Sequence, residues 1–279
     1  MGYPLPIVRY LTEQSHLIHK KKVLTLGNLY PSGGQSRRRA RLFPELTKYE
    51  STQFSSGFLG DYLKASSLQV LDVDPYQGAD VIANLNKKVD PKLVGEFDTI
   101  LDFGTLEHLS NLSMALTNIF SLLKQHGSYC FLLPANNWID HGFFQFSPTF
   151  FIDLISQNQG LVGHDLFYVC NQQLIHFSQC DHYVRRVLAH SQSPIFVGGV
   201  IEKISSDLSL DLVQSKYSDS YVSRDSTIKV PSQQKEIGFP KETKKTQIGR
   251  SMISKAPILP NSVKLRLLTD TLRYAPSTC

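Results

Sequence analysis

The sequence predicts an α/β fold, a doubly wound and mostly parallel sheet with helices on both faces. Two observations carry this. Short β-rich apolar runs alternate with amphipathic stretches through about the first 203 of 279 residues. Those runs are also apolar on both faces, as strands are when helices cover them above and below.

The first strand is Val23-Leu24-Thr25-Leu26, which follows Lys20-Lys21-Lys22 and stops at Gly27. Leu68-Gln69-Val70-Leu71 is the second, closed by the turn-forming Asp72-Val73-Asp74-Pro75. Phe97-Asp98-Thr99-Ile100-Leu101 is a third. A helix follows, with Leu112, Ala115, Leu116, Ile119 and Leu123 at helical spacing. Lys124 and His126 sit in its expected last turn, and Gly127 is the stop signal. Residues 128–134, Ser-Tyr-Cys-Phe-Leu-Leu-Pro, then read as a fully buried strand.

After Ile204 the composition shifts to Ser, Lys and Gln, punctuated by Pro231, Pro240, Pro257 and Pro260. The organisation expected is a folded body at 1–203 and a flexible basic extension at 204–279. One short helix at 261–274 would carry Val263, Leu267, Leu268 and Leu272 on a stripe. The net charge of +5 belongs to this extension. It holds 12 Lys and Arg against 7 Asp and Glu, which leaves 17 of each sign in the body. No nucleic-acid partner is expected. Arg37-Arg38-Arg39-Ala40-Arg41 reads as a solvated helix face, because no aromatic interleaving or zinc spacing accompanies it. The extension's Lys264, Arg266 and Arg273 leave contact with a membrane surface as a weaker reading.

Other classes fall away on missing patterns. No apolar run approaches the ~20 residues of a membrane span. Neither Gly-x-x-x-x-Gly-Lys-Ser/Thr nor, after the first strand, Gly-x-Gly-x-x-Gly is present, against a P-loop hydrolase or a dehydrogenase. Cys130, Cys170, Cys180 and Cys279 form no Cys-x-x-Cys pair, so neither a metal centre nor a disulfide scaffold is expected. The first residues lack the basic-then-apolar order of a secretory signal, and a cytoplasmic location is expected.

In a doubly wound sheet the ligand lies beyond the carboxyl ends of the strands. Asp72 closes the second strand, where a carboxylate either accepts hydrogen bonds from both ribose hydroxyls of a nucleoside or caps the next turn. Eight residues on, Asp80-Val81-Ile82-Ala83-Asn84-Leu85 can set Asn84 against an adenine edge. Residues 97–108, Phe-Asp-Thr-Ile-Leu-Asp-Phe-Gly-Thr-Leu-Glu-His, run from strand into loop.

Together with the Lys124-Gln125-His126-Gly127 turn and the apolar strand ending at Pro134, these segments resemble the class I S-adenosylmethionine-dependent methyltransferases. The resemblance spans roughly residues 20–203 and is most specific over 68–148. Residues 136–151 resemble the loop and helix start that face the acceptor, and Pro194-Ile195-Phe196-Val197 fits the last strand. What the resemblance implies is a Rossmann-like fold binding S-adenosylmethionine and transferring its methyl group to a small-molecule acceptor. By position, Asp72 would take the ribose and Asn84 and Leu85 the adenine. Asp102 and Phe103 would line the cofactor, and Gly27 would allow close backbone approach. His108, and His141 in its loop with Trp138, Phe143, Phe144 and Phe146, are the candidate catalytic groups. The other reading, which the pattern favours, makes His108 part of an architectural Glu-His pair near the site and His141 a loop histidine beside core aromatics. One departure stands out: Leu26-Gly27-Asn28-Leu29-Tyr30-Pro31 keeps only the first glycine of the family's glycine-rich loop. A non-catalytic scaffold that has lost the cofactor is therefore the alternative.

Overall fold

The computed structural model describes residues 2–31, 56–177, 191–208, 210 and 212–214. The elements in chain order are β1 (Gly2–Tyr3), α1 (Leu5–Glu13), β2 (Lys22–Leu26), β3 (Tyr30–Pro31), α2 (Ser56–Tyr62), β4 (Ser67–Asp72) and β5 (Val81–Ile82). They continue as β6 (Phe97–Asp102), α3 (Leu112–Leu122), β7 (Leu123–Asn136), α4 (Pro148–Ser156), β8 (Leu161–Cys170), β9 (Gln173–His176) and β10 (Ile195–Lys203). All lie in one unit of residues 1–182 and 193–230. A second unit, 183–192 and 231–279, falls outside the described residues except at Ser191 and Gln192. The Arg37–Arg41 run, the 261–274 helix and nearly all of the 204–279 extension also lie outside them.

The apolar runs build one eight-stranded sheet in the order β5-β4-β2-β6-β7-β10-β8-β9. Its first five strands are mutually parallel, and β2 pairs with both β4 and β6. The chain thus winds outward from β2 in one direction and then, from β6, in the other. This is the doubly wound, Rossmann-like α/β arrangement, with a crevice where the direction reverses. The register sets Leu26, Leu71 and Asp102 side by side at the carboxyl ends of β2, β4 and β6. Beyond β7 the order departs from chain sequence, because β10 inserts antiparallel between β7 and β8. A strand paired out of order leaves no local pattern, so its position is not visible in the sequence.

Both sheet faces are covered, as the apolar runs require. On one face Ile7, Val8 and Leu11 of α1 join Val23, Leu101, Cys130, Leu132, Phe167 and Val169 in a continuous buried cluster. On the other, Phe120 of α3 and Phe151 of α4 pack on Tyr129 and Phe131, with Phe131 and Phe151 stacked at 4.0 Å.

One helix boundary differs from expectation. The helix ends at Leu122, a turn before the expected stop at Gly127, so Lys124 and His126 lie outside it and Leu123 already belongs to β7. The cause lies 80 residues downstream: buried Lys203 donates to the carbonyls of Phe120 and Leu123, both at 2.8 Å, and satisfies the helix end early. The chain then bulges through His126 (φ +62°) to Gly127. There an added Cβ would meet the Lys124 carbonyl oxygen at 2.9 Å, so the glycine is a packing requirement inside the strand.

Candidate functional site

Four loops leave the carboxyl ends of β2, β4, β6 and β7, and three of them are tied together around Gly27. This residue holds φ +72°, a conformation that glycine adopts without strain, and its N–H donates to the Leu71 carbonyl at 2.8 Å. Among the described residues, a Cβ built on Gly27 would meet only the Thr105 hydroxyl, at 3.4 Å. That hydroxyl in turn donates to the Leu26 carbonyl at 2.8 Å. The next two side chains, which lack the freedom of glycine, turn elsewhere. Asn28 reaches sideways, its Nδ2 donating to the Gln77 carbonyl at 2.7 Å, and Leu29 enters the core beneath α1.

Asp72 ends β4 half-buried, with Oδ1 accepting from the Val73 N–H at 2.6 Å. That bond is the turn-capping role; its Oδ2 takes no hydrogen bond among the described residues. Asn84 is exposed, and its Oδ1 accepts from the Asn86 N–H at 3.0 Å in a local Asx turn. That bond uses one of the two acceptor sites of the amide oxygen. The loop holding Asn84 is fixed from α3. Buried Asn118 donates to the carbonyls of Leu85 and Lys87 and accepts from Val89 N–H. Leu85 is itself buried.

Asp102 and Phe103 sit behind the crevice. Asp102 is fully buried, and its carboxylate accepts from Thr105 N–H at 2.8 Å, Gly104 N–H at 3.3 Å and the Tyr129 hydroxyl at 2.8 Å. Burial raises its pKa above the ordinary carboxylate range, and those donors oppose the rise. The geometry makes Asp102 a brace for the 102–105 turn. Phe103 is buried in the α1-side core, edge-on to Tyr3.

The residue that sequence reasoning missed is Glu107. Its side chain is fully buried, and among the described residues neither carboxylate oxygen has a hydrogen-bond partner. Burial, with the nearby Asp102 charge, pushes its pKa up to about 8. Two histidines stand over it: His141 Nε2 lies 3.7 Å and His108 Nε2 3.8 Å from Glu107 Oε1. Their rings are 5.3 Å apart. His141 Nε2 is buried and also without a partner, whereas the His108 side chain is 46% exposed. Burial lowers the His108 pKa, and His141 adds to the effect. The β7–α4 loop closes over this cluster because Phe143 and Phe144 N–H both donate to the Glu107 carbonyl. Gly142 fits against Glu107, where an added Cβ would lie 3.0 Å from the side chain. Trp138 packs on His141 at 4.8 Å and anchors the loop by donating to the Ile195 carbonyl at 3.0 Å. Phe143 is exposed, whereas Phe146 belongs to the core. The structure thus brings His108 and His141 together around one acid. The sequence signal for Glu107 was its place beside His108 in the Leu-Glu-His end of residues 97–108.

No family model and no curated protein matches the chain. Its fold is similar to solved structures at low identity. One is the 1,6-didemethyltoxoflavin-N1-methyltransferase of Burkholderia thailandensis, bound to 1,6-didemethyltoxoflavin and S-adenosylhomocysteine, at 14% identity and TM-score 0.40, covering 72% of this chain and 78% of that one. Another is an S-adenosylmethionine-dependent methyltransferase of Mesorhizobium loti, at 12% identity and TM-score 0.41, covering 71% and 98%. A third is the [4+2]-cyclase SpnF, at 12% identity and TM-score 0.41, covering 71% and 79%. Likeness of this grade leaves activity to be argued from the site itself.

Proposed function

We propose that this chain transfers a methyl group from S-adenosylmethionine to a small-molecule acceptor. The observation that carries the reading is the convergence of Gly27, Asp72 and the Asp102–Thr105 turn at the ends of three adjacent parallel strands, where the winding reverses. The crevice suits the cofactor because, among the described residues, only the Thr105 hydroxyl approaches Gly27 where a Cβ would stand. S-adenosylmethionine supplies a methyl group already activated on a sulfonium.

The chain's part is to bind, orient and exclude water. Gly27 lets backbone approach the amino-acid portion, Asp72 Oδ2 accepts from the ribose, and the Asn84 amide and Leu85 flank the adenine. Asp102 and Phe103 act from behind, holding the turn in place. The acceptor would enter from the side of the β7–α4 loop, between the exposed Phe143 and the histidine pair. His108 and His141 engage its nucleophilic oxygen or nitrogen. No described helix is long and apolar enough to cross a membrane. Cys130 is a buried free thiol, which fits a reducing cytoplasm as the working place.

The rival reading, a scaffold without cofactor, draws on the same first loop, where Asn28 and Leu29 replace the glycines. Equilibrium dialysis with methyl-labelled S-adenosylmethionine separates the two. Wild type is expected to retain the label, and Asp72→Ala to bind about 1–3 kcal/mol more weakly through loss of charge-assisted hydrogen bonds. Equal affinities would remove Asp72 from the site. Retention by neither protein would favour the scaffold.

A further inference from the structure

The geometry points to a divalent transition-metal site formed by Glu107, His108 and His141. It concerns the same mouth as the methyl-transfer reading but does not depend on it. Elsewhere in the molecule, histidine and acid close to bonding distance. His126 and His164 meet the two oxygens of Glu202 at 2.8 and 2.5 Å, and His176 meets Asp165 at 3.0 Å. At Glu107 they do not. Both histidine nitrogens stand 3.7–3.8 Å off the same carboxylate oxygen, beyond hydrogen-bond reach. Among the described residues, nothing donates to either oxygen of this fully buried carboxylate, and the buried His141 Nε2 has no hydrogen-bond partner either.

An isolated buried carboxylate is costly unless a cation or donor meets it. The spacing identifies which. Ligand atoms each about 2.1 Å from one cation lie roughly 3.0–4.2 Å from each other across tetrahedral to octahedral angles. The two Glu107–histidine distances, 3.8 and 3.7 Å, fall in that range, and the three ligand atoms lie within 4.8 Å of one another. One carboxylate and two imidazoles favour Zn²⁺, Fe²⁺, Co²⁺ or Ni²⁺ over the all-oxygen preference of Mg²⁺ and Ca²⁺. The absence of paired cysteines excluded only thiolate sites, and this set uses none.

The shell around the ligands is rigid. Glu107 is clamped by the N–H groups of Phe143 and Phe144, and His141 by the Trp138 ring. Three protein ligands leave coordination positions open, and the half-exposed His108 places them on the solvent side. A cation there would take an acceptor's oxygen or nitrogen directly, which favours its deprotonated form.

The test is a titration of chelator-treated full-length protein with Co²⁺, followed by visible absorption and competition with Zn²⁺, in the absence of S-adenosylmethionine. The expected result is binding of about one Co²⁺ per chain with d–d bands of low coordination number. Glu107→Gln, His108→Asn and His141→Asn should each weaken it at least about tenfold. The exposed His108 gives a variant that tests the claim even where a change at buried Glu107 unfolds the protein. His126→Asn, in the other histidine cluster, should leave binding unchanged. No binding tighter than about 1 mM would overturn the inference. So would equal affinity in wild type and His108→Asn, or Mg²⁺ binding as tightly as Co²⁺.

Discussion

Gly27 and Lys203 show how single residues set the crevice and its support. At Gly27, φ +72° and the bond to the Leu71 carbonyl fix the path of the chain as it leaves β2. Gly27→Ala should cost about 1–2 kcal/mol from left-handed backbone strain, and denaturant melts would show it. The same substitution should weaken S-adenosylhomocysteine binding, since it places a methyl group in the mouth. Lys203 is buried and holds two carbonyls at the end of α3. Lys203→Met keeps the apolar stem but leaves those acceptors bare, for an expected loss of about 1–3 kcal/mol. A midpoint unchanged in denaturant would show that water replaces the ammonium. At this scale the sequence was partly legible. Asp72 and Gly27 were visible as strand-ending residues. Glu107 was not, because burial without a partner depends on a loop more than thirty residues downstream. Asp102 was visible as an acid, but its role as a brace depends on the Tyr129 hydroxyl of the neighbouring strand.

The inserted strand β10 shows what an element requires that its own pattern does not announce. It lies between β7 and β8, and its Gly198 and Gly199 make room for rings from both neighbours. A Cβ on Gly198 would stand 2.3 Å from the Phe167 ring, and one on Gly199 2.9 Å from the Phe131 ring. Gly198→Ala should therefore destabilise by about 1–3 kcal/mol as an overpacked core site. A loss below half a kilocalorie would mean that Phe167 has room to move. The same strand carries Glu202, which joins His126 of β7 and His164 of β8. Burial raises the Glu202 pKa, but the two histidine bonds outweigh it and the pKa is lowered. A carboxylate depressed by folding contributes stability above its unfolded range and loses it as pH falls. The advantage of wild type over Glu202→Gln should thus be full near neutrality and shrink as pH drops below about 4.5. A difference that stays constant down to strong acid would contradict this. Strands β2, β4, β6 and the core of β7 were legible because each is a local apolar run. The segment at residues 194–197 was legible as a last strand, but its place between β7 and β8 was not, because β10 pairs antiparallel and out of chain order while β8 and β9 form a hairpin beyond it.

For the whole molecule, the doubly wound architecture follows from strands apolar on two faces, and it sets where a ligand binds before any side chain is named. The reversal of winding puts Gly27 beside the Asp102–Thr105 turn, with Asp72 one strand away. The glycine-poor first loop is accommodated because Asn28 and Leu29 are engaged at Gln77 and in the core. That arrangement makes cofactor binding the central claim. Calorimetric titration of S-adenosylhomocysteine into the full-length wild-type protein tests it most directly. Saturable binding at a single class of site is expected, with a Kd tighter than about 1 mM. Folded protein that releases no heat up to millimolar ligand would contradict it.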